Sequence, residues 1–266
     1  MIKKYWIIAS NEVQRQFTYR VNIVAFAFGN IAELVALTVI WSIVYRSIDT
    51  IQGYTANEMI TYVVFAWFFS FLTTTYAFEQ NIARDIHQGT LSALLVKPQS
   101  YTRYVATVAT SRILIALGIV LIQASLVFLF FQDRLIFSLD LPKILLLICM
   151  LVATYVINLF LSILIGFIAF WTNEIHGIYY SLKVFSKFMS GTFFPIALLP
   201  ALFLKASYFF PFAYTIYIPV QLYLGKISFV EGLWGLAIEL LWILILYGII
   251  KIVWRSGLRK YESVGI

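Results

Sequence analysis

The chain is 266 residues long, 62% hydrophobic and only 12% charged, with a mean hydropathy of +0.91. That composition excludes a soluble globular protein and leaves room for about six apolar helices of roughly 20 residues, with nothing over for a separate catalytic domain. The formal net charge of +7 comes from basic residues at the ends of apolar runs, which orients spans in a bilayer and does not resemble a nucleic-acid footprint.

Residues 1–20 are too polar for the core of a signal peptide and are expected to stay on the chain. Ile2, Tyr5, Trp6, Ala9, Val13 and Phe17 share one helical face, with Lys3, Lys4, Asn11, Glu12, Gln14 and Arg15 around the rest. This is the pattern of a helix lying in the membrane interface. Val21 to Tyr45 is long enough to span, and Met59 to Phe78 follows a linker whose Asp49 and Glu58 outweigh Arg46, which places that linker outside.

The stretch from Glu79 to Tyr104, EQNIARDIHQGTLSALLVKPQSYTRY, is polar between two apolar runs. Ile82, Ile86, Leu91, Leu94 and Leu95 nevertheless recur at helical intervals on one face, which predicts an amphipathic surface helix. Gly89 interrupts it and Lys97-Pro98 ends it. Ile113 to Phe131 and Ile144 to Trp171 are the next spans, joined by a short polar connection. The single cysteine, Cys149, lies in an apolar run and allows no intrachain disulfide.

From Thr172 to Gly225 the apolar runs are cut by Pro195, Pro200, Pro211 and Pro219, and by Lys183, Lys187 and Lys205. The last span, Ile227 to Trp254, would leave the two basic termini on opposite sides unless this stretch crosses once more. Positive-inside therefore predicts a crossing at Ile175 to Phe194. Its two lysines cost about 2.5 to 3.5 kcal/mol each near mid-membrane, so other helices or a polar path must shield it. Ile196 to Leu204 and Tyr208 to Leu224 are too short or too broken to cross, and 196–224 is expected to form a re-entrant helical hairpin on the outer side.

Polar residues inside the spans are the first candidates for function. Asn30 and Glu33 share a face with Asn22, Phe26 and Gly29, Lys183 and Lys187 are one turn apart, and Glu239 lies midway along the last span. Glu33, Lys187 and Glu239 fall at similar depth, so Lys187 is expected to pair with Glu33 or Glu239, in a structural or a path-lining role. The aromatics around 193–223, with Phe194, Pro195, Pro200, Phe210, Pro211, Tyr214 and Pro219 among the candidates, suit either an interfacial belt or an outer gate. The sequence has no phosphate-binding loop, and its two histidines, His87 and His176, have no neighbour at metal-ligand spacing, so neither ATP hydrolysis nor a metal site is expected here.

Three stretches carry a resemblance. The Ile, Gly-Thr-Leu, Leu-Leu, Pro, Tyr series between the second and third spans resembles the coupling region of type-two ATP-binding-cassette (ABC) exporter permeases. SGTFFPIALLPALF followed by FFPFAYTIYIPVQLYLG, and the terminal WRSGLRKYESVGI, are similar to the subfamily related to drug and glycolipid exporters. The resemblance implies one all-α integral membrane permease domain over 1–266. It would have six transmembrane helices, an N-terminal interfacial helix at 1–20, a cytoplasmic coupling helix within 79–104, and the outer hairpin.

It implies a transport subunit that is not itself an enzyme, in the bacterial inner membrane with both termini cytoplasmic. It would be driven by two copies of an ABC ATPase that carry ATP and Mg, and paired with a second permease chain, identical or homologous. The cargo would be an amphipathic, lipid-like or drug-like substrate leaving the cytoplasm or inner leaflet. The coupling residues implied are Ile82, Arg84, Asp85, Ile86, Gly89, Thr90, Leu91, Leu94, Leu95 and Pro98. The rival reading is an ion-coupled secondary transporter using Glu33, Lys187 and Glu239, which needs no ATPase partner.

Overall fold

A computed structural model describes residues 2–18, 20–74, 78–137 and 140–261. The side chains of Ile2, Arg20, Asn22, Ile23, Phe26 and Leu114 lie outside that description, so the Asn22 and Phe26 part of the expected polar stripe does too, as does the terminal motif beyond Tyr261. The chain folds as α1 (Ile2–Thr18), α2 (Arg20–Val44), a small hairpin of β1 (Thr50–Ile51) and β2 (Tyr54–Thr55), and α3 (Ala56–Thr73). Then come α4 (Phe78–His87), α5 (Thr90–Leu95), α6 (Tyr101–Ser111), α7 (Ile113–Phe131) and α8 (Leu141–Phe167). The last third comprises α9 (His176–Ser190), α10 (Ala201–Phe209), α11 (Phe212–Thr215), α12 (Tyr217–Tyr223) and α13 (Phe229–Lys260).

Among the described residues five helical runs are long and apolar enough to cross a membrane: α2, α3 with α4, α6 with α7, α8 and α13. The bent pair formed by α10 with α11 and α12, which turns through 81°, would make a sixth. The chain is an all-α membrane protein with five to six candidate spans. The segment expected to cross at 175–194 forms α9, shorter at both ends than predicted and not among these candidate spans. Its 15 residues reach about 22 Å, less than the roughly 30 Å of hydrocarbon in a bilayer. Gly191, in the left-handed conformation, stops it.

Local chemistry sets the other ends. Thr55 and Glu58 form a reciprocal capping box that starts α3, and Ser228 and Glu231 do the same for α13. Pro142 sits in the first turn of α8, where its missing N–H costs nothing.

Two apolar clusters are strung along α8, one at each end. The first gathers Met59, Tyr62, Leu146, Met150, Ile196 and Leu222 beneath the β-hairpin, and the second gathers Ile82, Leu91, Tyr101, Ile163, Phe167 and Ile250. The proline-rich segment belongs to the hairpin end on both sides. Trp41 Nε1 donates to Phe193 O at 3.2 Å before it, and Lys226 Nζ is 2.9 Å from Glu58 Oε1 after it. Between these points it dips inward until Thr215 O lies 3.3 Å from Thr154 Oγ1, mid-way along α8. The described ends of the chain meet at the opposite end, where Lys4 Nζ donates to Pro98 O and Tyr261 OH contacts Ser92 Oγ, both at 3.1 Å.

Candidate functional site

The polar stretch 79–104 becomes two short helices and the start of a third. Gly89, with φ of 75°, takes a left-handed turn that costs a side-chain-bearing residue about 1 to 2 kcal/mol. The turn folds α5 back against the same apolar core as α4. Ile82, Ile86, Leu91 and Leu94 are all buried in that core, against α8, α13 and the 3₁₀ turn Ile168–Phe170. These four cannot meet a partner from their present positions.

What faces out is a different set: Arg84, Gln88, Thr90 and the tip Leu95 to Pro98. Leu95 is 40% and Val96 87% exposed. Asp85 and Gly89 are half-buried, and Asp85 Oδ2 accepts from Tyr101 OH at 2.9 Å.

The unit is tied firmly to the helices that run through the molecule. His87 Nε2 sits 3.1 Å from both Ala169 O and Thr172 O, locking the end of α4 to the loop between α8 and α9. Gly166 lets α4 lie against α8, because a Cβ there would come within 2.7 Å of Ile82 Cβ. Tyr101 stacks on Trp254 of α13 at 5.4 Å. The α4 and α5 unit is therefore packed directly on α8 and α13.

The N-terminal helix is docked, not simply adsorbed. Glu12, expected on the polar outer face, is buried and accepts from Arg15 and Gln16 on its own helix and from Arg112 Nε at 2.9 Å, which pins α1 to the junction of α6 and α7. Burial pushes the Glu12 carboxyl up, but the hydrogen bonds from Arg15 and Gln16 and the charge of Arg112 win and hold it below its ordinary value. Trp6 and Phe17 remain exposed and apolar on the other side of the helix.

A cleft of about 330 Å³ opens between α3, α8, α9 and α11. Ser70, Thr73 and Thr74 line it from the end of α3, Asn158 and Ser162 from α8, Lys183, Ser186, Lys187 and Ser190 from α9, and Thr215 from α11. An adjoining pocket of about 100 Å³ shares both lysines and adds Asn30 and Glu33 from α2. Lys187 Nζ lies 2.6 Å from Glu33 Oε1, so Glu33 is the partner the geometry selects. Asn30, Glu33, Lys183 and Lys187 thus come together.

Glu239 does not join them. It is completely buried beside α8, where Oε1 accepts from Thr154 Oγ1 at 2.7 Å and Oε2 has no partner among the described residues. The hydroxyls and Asn158 were not among the sequence candidates, because single neutral polar residues are common in apolar helices. Their spacing, Asn158 to Ser162 and Ser186 to Ser190 each one helical turn apart on apolar helices, carried the signal.

The aromatic and proline candidates are packing elements in this conformation. Pro195, Pro211, Tyr214 and Pro219 are buried and Phe194 and Phe210 half-buried, with Pro200 alone of the set exposed. Phe194 meets Phe188 edge-on at 6.2 Å, and Phe210 meets Phe185 likewise at 6.0 Å.

Compared with known families, residues 31–265 match the one described as ABC-2 family transporter protein. The chain belongs to the ABC-2 transporter family. It is a multi-pass membrane permease, and no curated protein matches it. The matched region takes in the α4 and α5 unit and the proline-rich segment.

Proposed function

We propose that this ABC-2 permease is the membrane-spanning subunit of an ATP-driven exporter, moving an amphipathic, lipid-like or drug-like substrate out of the cytoplasm or inner leaflet of a bacterial inner membrane. Two copies of a separate ABC ATPase supply the energy and hold ATP and Mg, and a second permease chain, identical or homologous, completes the path. The termini and the α4 and α5 unit face the cytoplasm. In this reading α9 is the sixth crossing and α10 to α12 form the outer re-entrant hairpin, since both flanks of that segment contact the β-hairpin end. No residue of this chain performs bond chemistry.

One observation carries the reading: α4 and α5 sit on the ends of α8 and α13 while projecting an exposed tip, Leu95 to Pro98. The four buried aliphatic residues transmit, and the tip with Arg84 is the part a partner can touch. ATP-driven movement of the ATPase presses on that tip and displaces the attached spans.

The test is affinity purification of the tagged full chain from native membranes in mild detergent. An ATPase should copurify with the unaltered chain and be lost from a Val96→Asp, Arg84→Glu variant that remains monodisperse. A stable permease that brings no ATPase under conditions preserving such complexes would sink the proposal in favour of ion-coupled transport.

A further inference from the structure

We propose that Glu239 is a proton-binding site in the core of the helix bundle, and that the proton it holds latches the proline-rich segment onto α8 through Thr154 and Thr215. The inference goes beyond export and rests on three helices that meet at one point. α13 carries Glu239, α8 carries Thr154, and α11 ends at Thr215.

The sequence creates a carbonyl in need of a donor. In a continuous helix Thr215 O would accept from the amide of residue 219, but that residue is Pro219, which has no N–H. The helix breaks at Ile216, and Thr154 Oγ1 lies 3.3 Å from the oxygen that the proline leaves over. Thr215 is buried, where an unmet carbonyl is costly. Gly235, one turn before Glu239, lets α13 come close enough to join them, because a Cβ there would stand 2.7 Å from Ile218 Cγ2.

Thr154 has one hydroxyl proton and two acceptors beside it, Thr215 O and, at 2.7 Å, Glu239 Oε1. A charged Glu239 takes that proton and leaves Thr215 O without it. The charge is then buried on a single hydrogen bond, with no partner for Oε2 among the described residues. A protonated Glu239 instead donates to Thr154 Oγ1, and Thr154 donates onward to Thr215 O. Every proton then has an acceptor and no charge is buried.

Among the described residues no cation stands ready to hold the charged form. Lys143 of α8 is about three turns from Thr154 and pairs with Asp140, while Glu231 and Lys251, the nearest charges along α13, are at least two turns from Glu239. α11 and α12 contain no charged residue. The tyrosines of the packed helices are engaged elsewhere: Tyr155 donates to Thr110, Tyr214 to Tyr208 O and Tyr223 to Ile136 O, and Tyr217 packs against Tyr62 and Tyr208. Phe212, Thr215 and Ile216 line the cleft of about 330 Å³. Loss of the proton turns Thr154 toward Glu239, frees Thr215 O and loosens that wall.

The experiment uses the full chain in dodecyl maltoside, which has no ester carbonyl. Infrared difference spectra at pH 7 should show a protonated-carboxyl stretch that Glu239→Gln removes and Thr154→Val moves to higher frequency. Hydrogen exchange of the amides from 212 to 218 should be about fivefold or more faster in Thr154→Val than in wild type, the worth of one hydrogen bond. Glu239→Gln, whose amide donates to Thr154 at every pH, should keep the slow exchange. Thr154→Ser restores the hydroxyl and should match wild type, which separates the latch from general damage to the fold. As the pH is raised, the band and the slow exchange, corrected for the intrinsic rate, should change together in wild type.

Identical spectra for wild type and Glu239→Gln would mean an ionised Glu239 and overturn the proposal. A band that Thr154→Val leaves in place, or exchange that it leaves unchanged, overturns the latch. So does slow exchange lost from Thr154→Ser, or exchange and band that part company with pH. Sodium in place of choline at constant pH should leave the band unaltered, and its loss on adding sodium overturns the proton in favour of a small-cation site.

Discussion

Lys187 Nζ and Glu33 Oε1 are 2.6 Å apart, joining the first long span to the helix that follows α8 across 154 residues of sequence. Lys187 also lies over the Phe193 ring at 5.2 Å. Lys187 lines both cavities, Glu33 lines the smaller one, and the pair is only partly exposed. It is one of the contacts that hold the mostly exposed α2 to the rest of the chain, with Trp41 Nε1 to Phe193 O and Gln123 Nε2 to Ala27 O.

Reversal of either charge alone, Lys187→Glu or Glu33→Lys, is expected to destabilise the permease by about 1 to 3 kcal/mol, less than for a fully buried pair because both groups are partly exposed. The double exchange should recover most of the loss. Thermal unfolding of the purified chain in nanodiscs measures all three. A double exchange no better than the worse single reversal would show that the contact contributes nothing to stability.

Glu239 presents the opposite case. It has no ion pair among the described residues and one hydrogen bond, from Thr154, in a wholly buried position. A carboxylate charge there is costly. Glu239→Gln keeps an acceptor for Thr154 and removes the charge, so it should be neutral or stabilising. Thr154→Val strips the partner and should cost about 1 to 3 kcal/mol. Loss of folding in Glu239→Gln would mean that a charge at this position is required.

The contact between Gly166 and Ile82 is a second mechanical joint. A methyl at Gly166 would press on the Ile82 side chain at 2.7 Å, so Gly166→Ala should cost about 1 to 3 kcal/mol by overpacking. Ile82→Ala should cost about 2 to 5 kcal/mol by opening a cavity. Combined, the two should cost less than their sum, because the smaller residue at 82 makes room for the added methyl. Strict additivity in thermal unfolding would argue that α4 moves freely on α8.

Much of the fold was legible because apolar run length is a strong signal. α7 occupies Ile113–Phe131 as expected, and Gly89 and Pro98 break the polar stretch where their backbone chemistry says they should. The amphipathic pattern of α4 and α5 showed that one face is covered, but periodicity cannot say by what. The cover is α8 and α13, not a partner. α6 was hidden because Tyr101–Ser111 straddles the polar stretch and the next apolar run. Glu33 and Glu239 were indistinguishable as partners for Lys187, since depth along a span carries no information about which way a side chain points around it.

Glu12 supplies a pH dependence. Its carboxyl titrates below its ordinary value in the folded chain, with burial opposing the shift and Arg15, Gln16 and Arg112 producing it. A depressed carboxylate contributes stability that is fully present above the unfolded value, about 4.3, and is lost as pH falls through the folded one. The wild-type chain should therefore exceed Glu12→Gln in stability at pH 7 by about 1.5 to 3 kcal/mol, the scale of hydrogen bonds to a charged group. The gap should close as pH is lowered through and below 4. Arg112→Gln should show the same closing gap, because Arg112 reaches across from the α6 and α7 junction to the same carboxylate. Melting curves of the three chains from pH 7 to 3 test this. A gap that stays constant over that range would show that the Glu12 contacts are too loose to distinguish the charged carboxyl from the neutral one.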